Sequence, residues 1–101
     1  MKNINLINTV FVTSRSFSEN NFLKNKLLKL YPDAQFNLTG SKIKPSDFIN
    51  ICKNYKKLII GLDVINSSIL SNLPNLKVIS KYGAGLDRIN IQDLKKFNIK
   101  L

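Results

Sequence analysis

Apolar residues come along this chain in two kinds of short burst, and the two kinds alternate. Thr9-Val10-Phe11-Val12-Thr13 is a compact β-branched and aromatic run, the pattern of a strand buried on both faces. Ser16-Phe17-Ser18-Glu19 follows with the spacing of a capping box, a cap Ser with Glu three residues on. The helix it opens carries Phe22, Leu23, Lys26, Leu27 and Leu30 near a 3.6-residue repeat, so one face is expected on a sheet. Tyr31-Pro32-Asp33 ends it, because proline has no N–H with which to continue a helix. Gln35-Phe36-Asn37-Leu38 alternates and predicts a second, outer strand, after which Gly40-Ser41 turns the chain.

Pro45 suits the first position of a helix whose Phe48, Ile49 and Cys52 point inward. Lys57-Leu58-Ile59-Ile60-Gly61 is the most apolar strand candidate and is expected at the centre of a sheet. Ser67 to Asn72 predicts a short helix before Pro74, and Lys77-Val78-Ile79-Ser80 a fourth strand. Asn90 caps a helix carrying Ile91, Leu94 and Phe97, and Asn98-Ile99-Lys100-Leu101 begins a fifth strand. Alternating strands and helices with short connections predict an α/β fold, because each parallel return needs a crossover. The expected form is a flavodoxin-like parallel sheet of about five strands, order 2-1-3-4-5, with helices on both faces.

With 101 residues the chain is one domain. An apolar content of 44% makes it globular rather than disordered. Its single cysteine, Cys52, excludes an internal disulfide framework and a thiolate metal site. The absence of histidine removes the commonest metal ligand and the commonest acid/base group. No secretory core and no stretch of about 20 apolar residues is present, so a cytoplasmic protein away from membranes is expected.

The net charge of +10 raises nucleic acid as a partner. The positive residues are nearly all lysines, Arg15 and Arg88 being the exceptions, and the chain is crowded with Asn and Ile. These residue types share A- and T-rich codons. The lysines are also scattered over helix faces such as Lys24, Lys26, Lys29, Lys95 and Lys96. Solvated helices are therefore preferred to a nucleic-acid face.

In an open α/β sheet, ligands bind beyond the carboxyl ends of the strands. Here those ends are Thr13-Ser14-Arg15-Ser16, Gly61-Leu62-Asp63 and Lys81-Tyr82-Gly83-Ala84-Gly85, which the expected strand order places along one rim. Gly83 and Gly85 allow dihedrals from which successive N–H groups converge on an anion, with Lys81 or Arg15 adding charge. A tight turn between strand and helix explains the same glycines equally well. The dinucleotide fingerprint G-x-G-x-x-G is absent, since position 88 is Arg. Asp63 and Asp87 read first as loop-stabilising residues that accept from nearby backbone N–H groups. Tyr82 suits either a core or a cleft wall, and Cys52 suits the core. Histidine-based triads and P-loops fail on inventory. A phosphoacceptor domain fails because Thr13-Ser14-Arg15 stands where it needs acids.

The run from Leu73 to Asn90, L-P-N-L-K-V-I-S-K-Y-G-A-G-L-D-R-I-N, is similar to one in D-isomer-specific 2-hydroxyacid dehydrogenases, the family of phosphoglycerate, glycerate and D-lactate dehydrogenases. Leu58-Ile59-Ile60-Gly61 and Phe97-Asn98-Ile99-Lys100-Leu101 fall where that family has a strand and a "G-I-x-V" ending. Asn90 replaces the family's usual Asp, and Asn98 its usual Gly.

The resemblance implies that residues 1–101 are the substrate-binding domain of an NAD- or NADP-dependent oxidoreductase, cut off before the nucleotide-binding domain. Lys81, Tyr82, Gly83, Ala84 and Gly85 are then the substrate-binding residues, with the backbone N–H groups of 83–85 taking the carboxylate of a small 2-hydroxy or 2-oxo acid. The family's catalytic arginine, glutamate and histidine lie outside this segment, as does its cofactor site. No catalytic, cofactor or metal residue is therefore expected here, and the chain is expected to be inactive without its nucleotide-binding partner domain. The rival expectation is a free-standing flavodoxin-like module that binds a small anion or a protein partner.

Overall fold

The computed structural model describes residues 8–39, 41, 43–83 and 85–101. Gly40, expected to turn the chain, lies outside the described residues. Four strands, β1 (Val10–Val12), β2 (Gln35–Phe36), β3 (Lys57–Ile60) and β4 (Val78–Lys81), form one parallel sheet in the order β2-β1-β3-β4. The helices between and after them are α1 (Arg15–Glu19), α2 (Asn21–Leu30), α3 (Pro45–Cys52), α4 (Ser67–Leu70) and α5 (Ile91–Lys96). No described helix is long and apolar enough to cross a membrane.

The two-residue period of the strands divides the interior into two cores. From β1 and β3, Phe11, Leu58 and Ile60 face one side with Phe48, Cys52 and Tyr55, where Leu70 of α4, Ile79 of β4 and Leu94 of α5 join them. Val10 and Val12 face the other side with Phe17 of α1 and Leu27 of α2, and Ile59 packs against that group. Helices therefore cover both faces. Leu58, Ile60 and Ile79 are at most 1% exposed, and removal of each such side chain from water contributes about 1.5–3 kcal/mol.

The expected single helix from Ser16 to Leu30 is two helices. Asn20 is extended (φ −90°, ψ 104°); its backbone N–H donates to the Phe17 carbonyl at 3.0 Å and its side chain accepts from Leu23 N–H at 3.1 Å. It closes α1 and opens α2, a competition with the helical ladder in which Asn is strong. The N-cap of α1 is Ser14, whose hydroxyl accepts from Phe17 N–H at 3.2 Å, while Ser16 lies exposed inside the helix. The break also sets the facing of α2. Leu23 and Leu27 pack inward, whereas Phe22 and Leu30, expected on the buried face, are 66% and 77% exposed.

The expected fifth strand is not formed. In its place Lys100 makes a single parallel bridge to Val78 on the outer edge of β4. Ile79 N–H donates to Lys100 O at 2.8 Å, and Lys100 N–H to Lys77 O at 2.9 Å.

Candidate functional site

Because β1, β3 and β4 are parallel neighbours, their carboxyl ends open on one rim. The loops leaving them enclose a cleft of about 420 Å³ lined by Thr13–Ser16, Gly61–Asp63 and Lys81–Gly83. Of the three segments that the strand order was expected to bring together, the first two meet there whole and the third as far as Gly83.

The floor is built on Asp63, which is only 5% exposed. Its Oδ2 accepts a short hydrogen bond from the Thr13 hydroxyl and a longer one, 3.4 Å, from Gly61 N–H. Thr13 N–H in turn donates to the Ile59 carbonyl at 2.9 Å, continuing the ladder past β1. The loops after β1 and β3 also touch directly. A Cβ on Gly61 would stand 3.1 Å from the Cβ of Ser14, so a side chain there would push the two loops apart. Asp63 thus stabilises loops, as expected, but it does so across the sheet and not only within its own turn.

Asn37 completes the brace. It is 2% exposed; its Nδ2 donates to the Thr13 and Ser41 carbonyls at 3.0 and 2.8 Å, while its Oδ1 accepts from Thr39. The alternating pattern marks Asn37 only as a strand residue, and sequence reasoning missed this role. Gln35, Asn37 and Thr39 alternate with Phe36 and Leu38, so the pattern does not set Asn37 apart from its polar neighbours.

The segment after β4 is fixed at both ends. Tyr82 N–H donates to the Ile60 carbonyl at 2.8 Å, and an isolated parallel bridge joins Ile65 to Ile89. Between these anchors Gly83 has φ 109° and Gly85 φ 85°, values that L side chains rarely adopt. Among the described residues, neither glycine N–H donates a hydrogen bond.

Lys81 lines the cleft half-buried, and its Nζ donates to the Tyr82 carbonyl at 3.2 Å. Tyr82 has both roles left open for it. Its ring meets Phe17 edge-on at 5.3 Å and it also lines the cleft. Gly85 is exposed just beyond the lining, and Ala84 lies outside the described residues. Asp87, expected to brace this loop, is exposed and accepts no hydrogen bond among the described residues.

Cys52 lies in the core beneath the site, and burial pushes its thiol well above the ordinary range, with the charge of Asp63 adding to the effect. It is an inert core residue, not a nucleophile.

The fold has counterparts among known proteins. Residues 10–101 match the family model described as D-isomer specific 2-hydroxyacid dehydrogenase, catalytic domain. The chain is similar to an NAD+-bound 3-phosphoglycerate dehydrogenase of Entamoeba histolytica, with 25% identity and a TM-score of 0.69 over 90% of this chain and 30% of that one. A protein of Pyrococcus horikoshii OT3 superposes with a TM-score of 0.73 at 24% identity, over 92% of this chain and 27% of that one. The D-lactate dehydrogenase of Escherichia coli in its apo form gives a TM-score of 0.70 at 11% identity, over 92% of this chain and 30% of that one, a likeness of fold alone. The chain spans about 30% of the length of these structures. Among curated proteins, none matches it.

Proposed function

The chain belongs to the D-isomer-specific 2-hydroxyacid dehydrogenase family, and on that premise we propose that the cleft is a substrate site in which Lys81, Tyr82, Gly83, Ala84 and Gly85 receive the carboxylate of a small 2-hydroxy or 2-oxo acid. The observation that carries this reading is the pair of positive-φ glycines, Gly83 and Gly85, whose N–H groups have no acceptor among the described residues. Uncommitted backbone donors on a strand-end loop favour an anion, and Lys81 adds a positive charge beside them.

The same proposal places residues 1–101 as the substrate-binding domain of an NAD- or NADP-dependent, cytoplasmic oxidoreductase. The residues present do not fit the cofactor itself. A dinucleotide needs a glycine turn that opens directly into a helix, whereas here α5 begins only at Ile91, six positions beyond Gly85. The nicotinamide chemistry is therefore assigned to a nucleotide-binding domain other than these residues. What this chain contributes is binding and orientation of the acid, so that its second carbon faces that domain. With Asp63 tied to Thr13 and no histidine in the chain, no group here is assigned the substrate's proton, and the chain by itself is inferred to be inactive.

Titration calorimetry of the chain tests the reading. D-lactate is expected to bind, and lactamide, which lacks the negative charge, to bind at least about tenfold more weakly. Equal affinity for the two would overturn the carboxylate site. Sulfate bound as tightly as D-lactate would favour a general anion-binding module instead.

A further inference from the structure

The cleft carries a negative charge of its own that a carboxylate site does not need. Asp63 lines it beside Arg15 and Lys81 and is 5% exposed. Its Oδ2 is committed to the Thr13 hydroxyl and the Gly61 N–H. Its Oδ1 accepts from no described residue and is not sealed from solvent, so the donors still open to it come from the cleft. A carboxylate oxygen that faces a cleft from a residue so little exposed rewards a donor brought to it and penalises an anionic neighbour. The Thr13 bond also holds the carboxylate in place, so a ligand meets a fixed acceptor and not one that can swing aside.

Resting on the carboxylate-site reading above, we propose that Asp63 is a specificity-determining residue of the cleft. It selects 2-hydroxy acids whose third carbon bears a hydrogen-bond donor, such as a hydroxymethyl group, and disfavours acids with a second anionic group there. Gly83 lines the same 420 Å³ cleft as Asp63, so an acid whose carboxylate sits on the Gly83 amide can place its remaining substituent in that cleft. A hydroxyl can donate to Oδ1. A methyl group displaces water from that oxygen without replacing its hydrogen bond, so the analogue lacking the donor is disfavoured. A second carboxylate meets like charge in a partly desolvated space.

Three acids that differ only in this substituent decide the matter: D-glycerate, D-lactate and D-malate, titrated into the full chain and into Asp63→Asn. Asn keeps an oxygen for Thr13 and Gly61 and removes the charge. The wild type is expected to bind D-glycerate at least about fivefold more tightly than D-malate, with D-lactate between them. In Asp63→Asn, D-malate is expected to gain at least about fivefold while D-lactate changes by less than about twofold.

Three acids bound alike by the wild type, or no gain for D-malate in the variant, would overturn the role of Asp63 and leave the carboxylate site standing if lactamide is still rejected. No binding of any acid would overturn both. Should Asp63→Asn lose its cooperative thermal transition, the wild-type ranking of the three acids decides alone.

Discussion

Cys52 shows how far a single side chain can be read before its surroundings are known. Its place on the apolar face of α3 was legible from spacing, and it is 0% exposed in the larger core. Burial, the larger cause of its raised thiol pKa, was legible with that place, whereas the smaller contribution from the charge of Asp63, eleven positions on, was not. Tyr55, which packs against Phe11 at 5.5 Å, is shifted upward by burial and then by Cys52.

Both groups therefore keep their protons in the folded state beyond the pH at which the unfolded chain releases them. For Cys52 the stabilisation is whole below the ordinary thiol value near 9 and is lost progressively as pH rises above it. The urea midpoint of the wild type is expected to fall between pH 8 and 10, and that of Cys52→Ala, less stable at pH 7, to fall less steeply. Parallel slopes would contradict the assignment. Asp63 itself was legible only as a loop residue, since its Thr13 partner is fifty positions away in sequence.

The elements were legible wherever a local rule sufficed, and illegible wherever two local rules competed. Pro45 and Asn90 open α3 and α5 as expected. Around α1 and α2 three residues could cap, and the periodicity of Phe22 to Leu30 argued for one helix. Ser14 and Asn20 win because each places an oxygen on a free backbone N–H three residues on.

The end of α5 is a cleaner case. Asn98 has φ 58°, its N–H donates to Lys95 O at 3.1 Å, and Ile99 N–H donates to Leu94 O at 2.9 Å. This is the paired bonding of a Schellman ending, with buried Ile99 and Leu94 supplying its apolar contact. Left-handed backbone costs Asn little, Gly nothing and Ala more. Asn98→Ala is expected to lose about 1 kcal/mol in urea denaturation, while Asn98→Gly stays within about 0.5 kcal/mol of wild type. Equal losses in the two would mean that the Asn side chain, and not the backbone angle, holds this turn.

At the scale of the molecule, alternation pointed to a parallel sheet, and the commonest order for a small sheet of that kind placed four strands as 2-1-3-4, and with them the rim where three loops meet. It could not tell a strand from a single bridge at Lys100, because both satisfy the edge of β4. Nor could it say that the floor of the rim is a carboxylate held by Thr13 and backed by Asn37, since those contacts join residues distant in sequence.

The central claim is that the amides of the loop after β4 grip a carboxylate, and residue-resolved NMR addresses it most directly. On addition of D-lactate to the isotope-labelled chain, the backbone amides of Gly83 and Gly85 are expected to shift most, with those of Lys81 and Tyr82 moving less, and lactamide to leave all four in place. Glycine amides that stay still, or a largest response on the lysine-bearing surface of α2, would contradict the account.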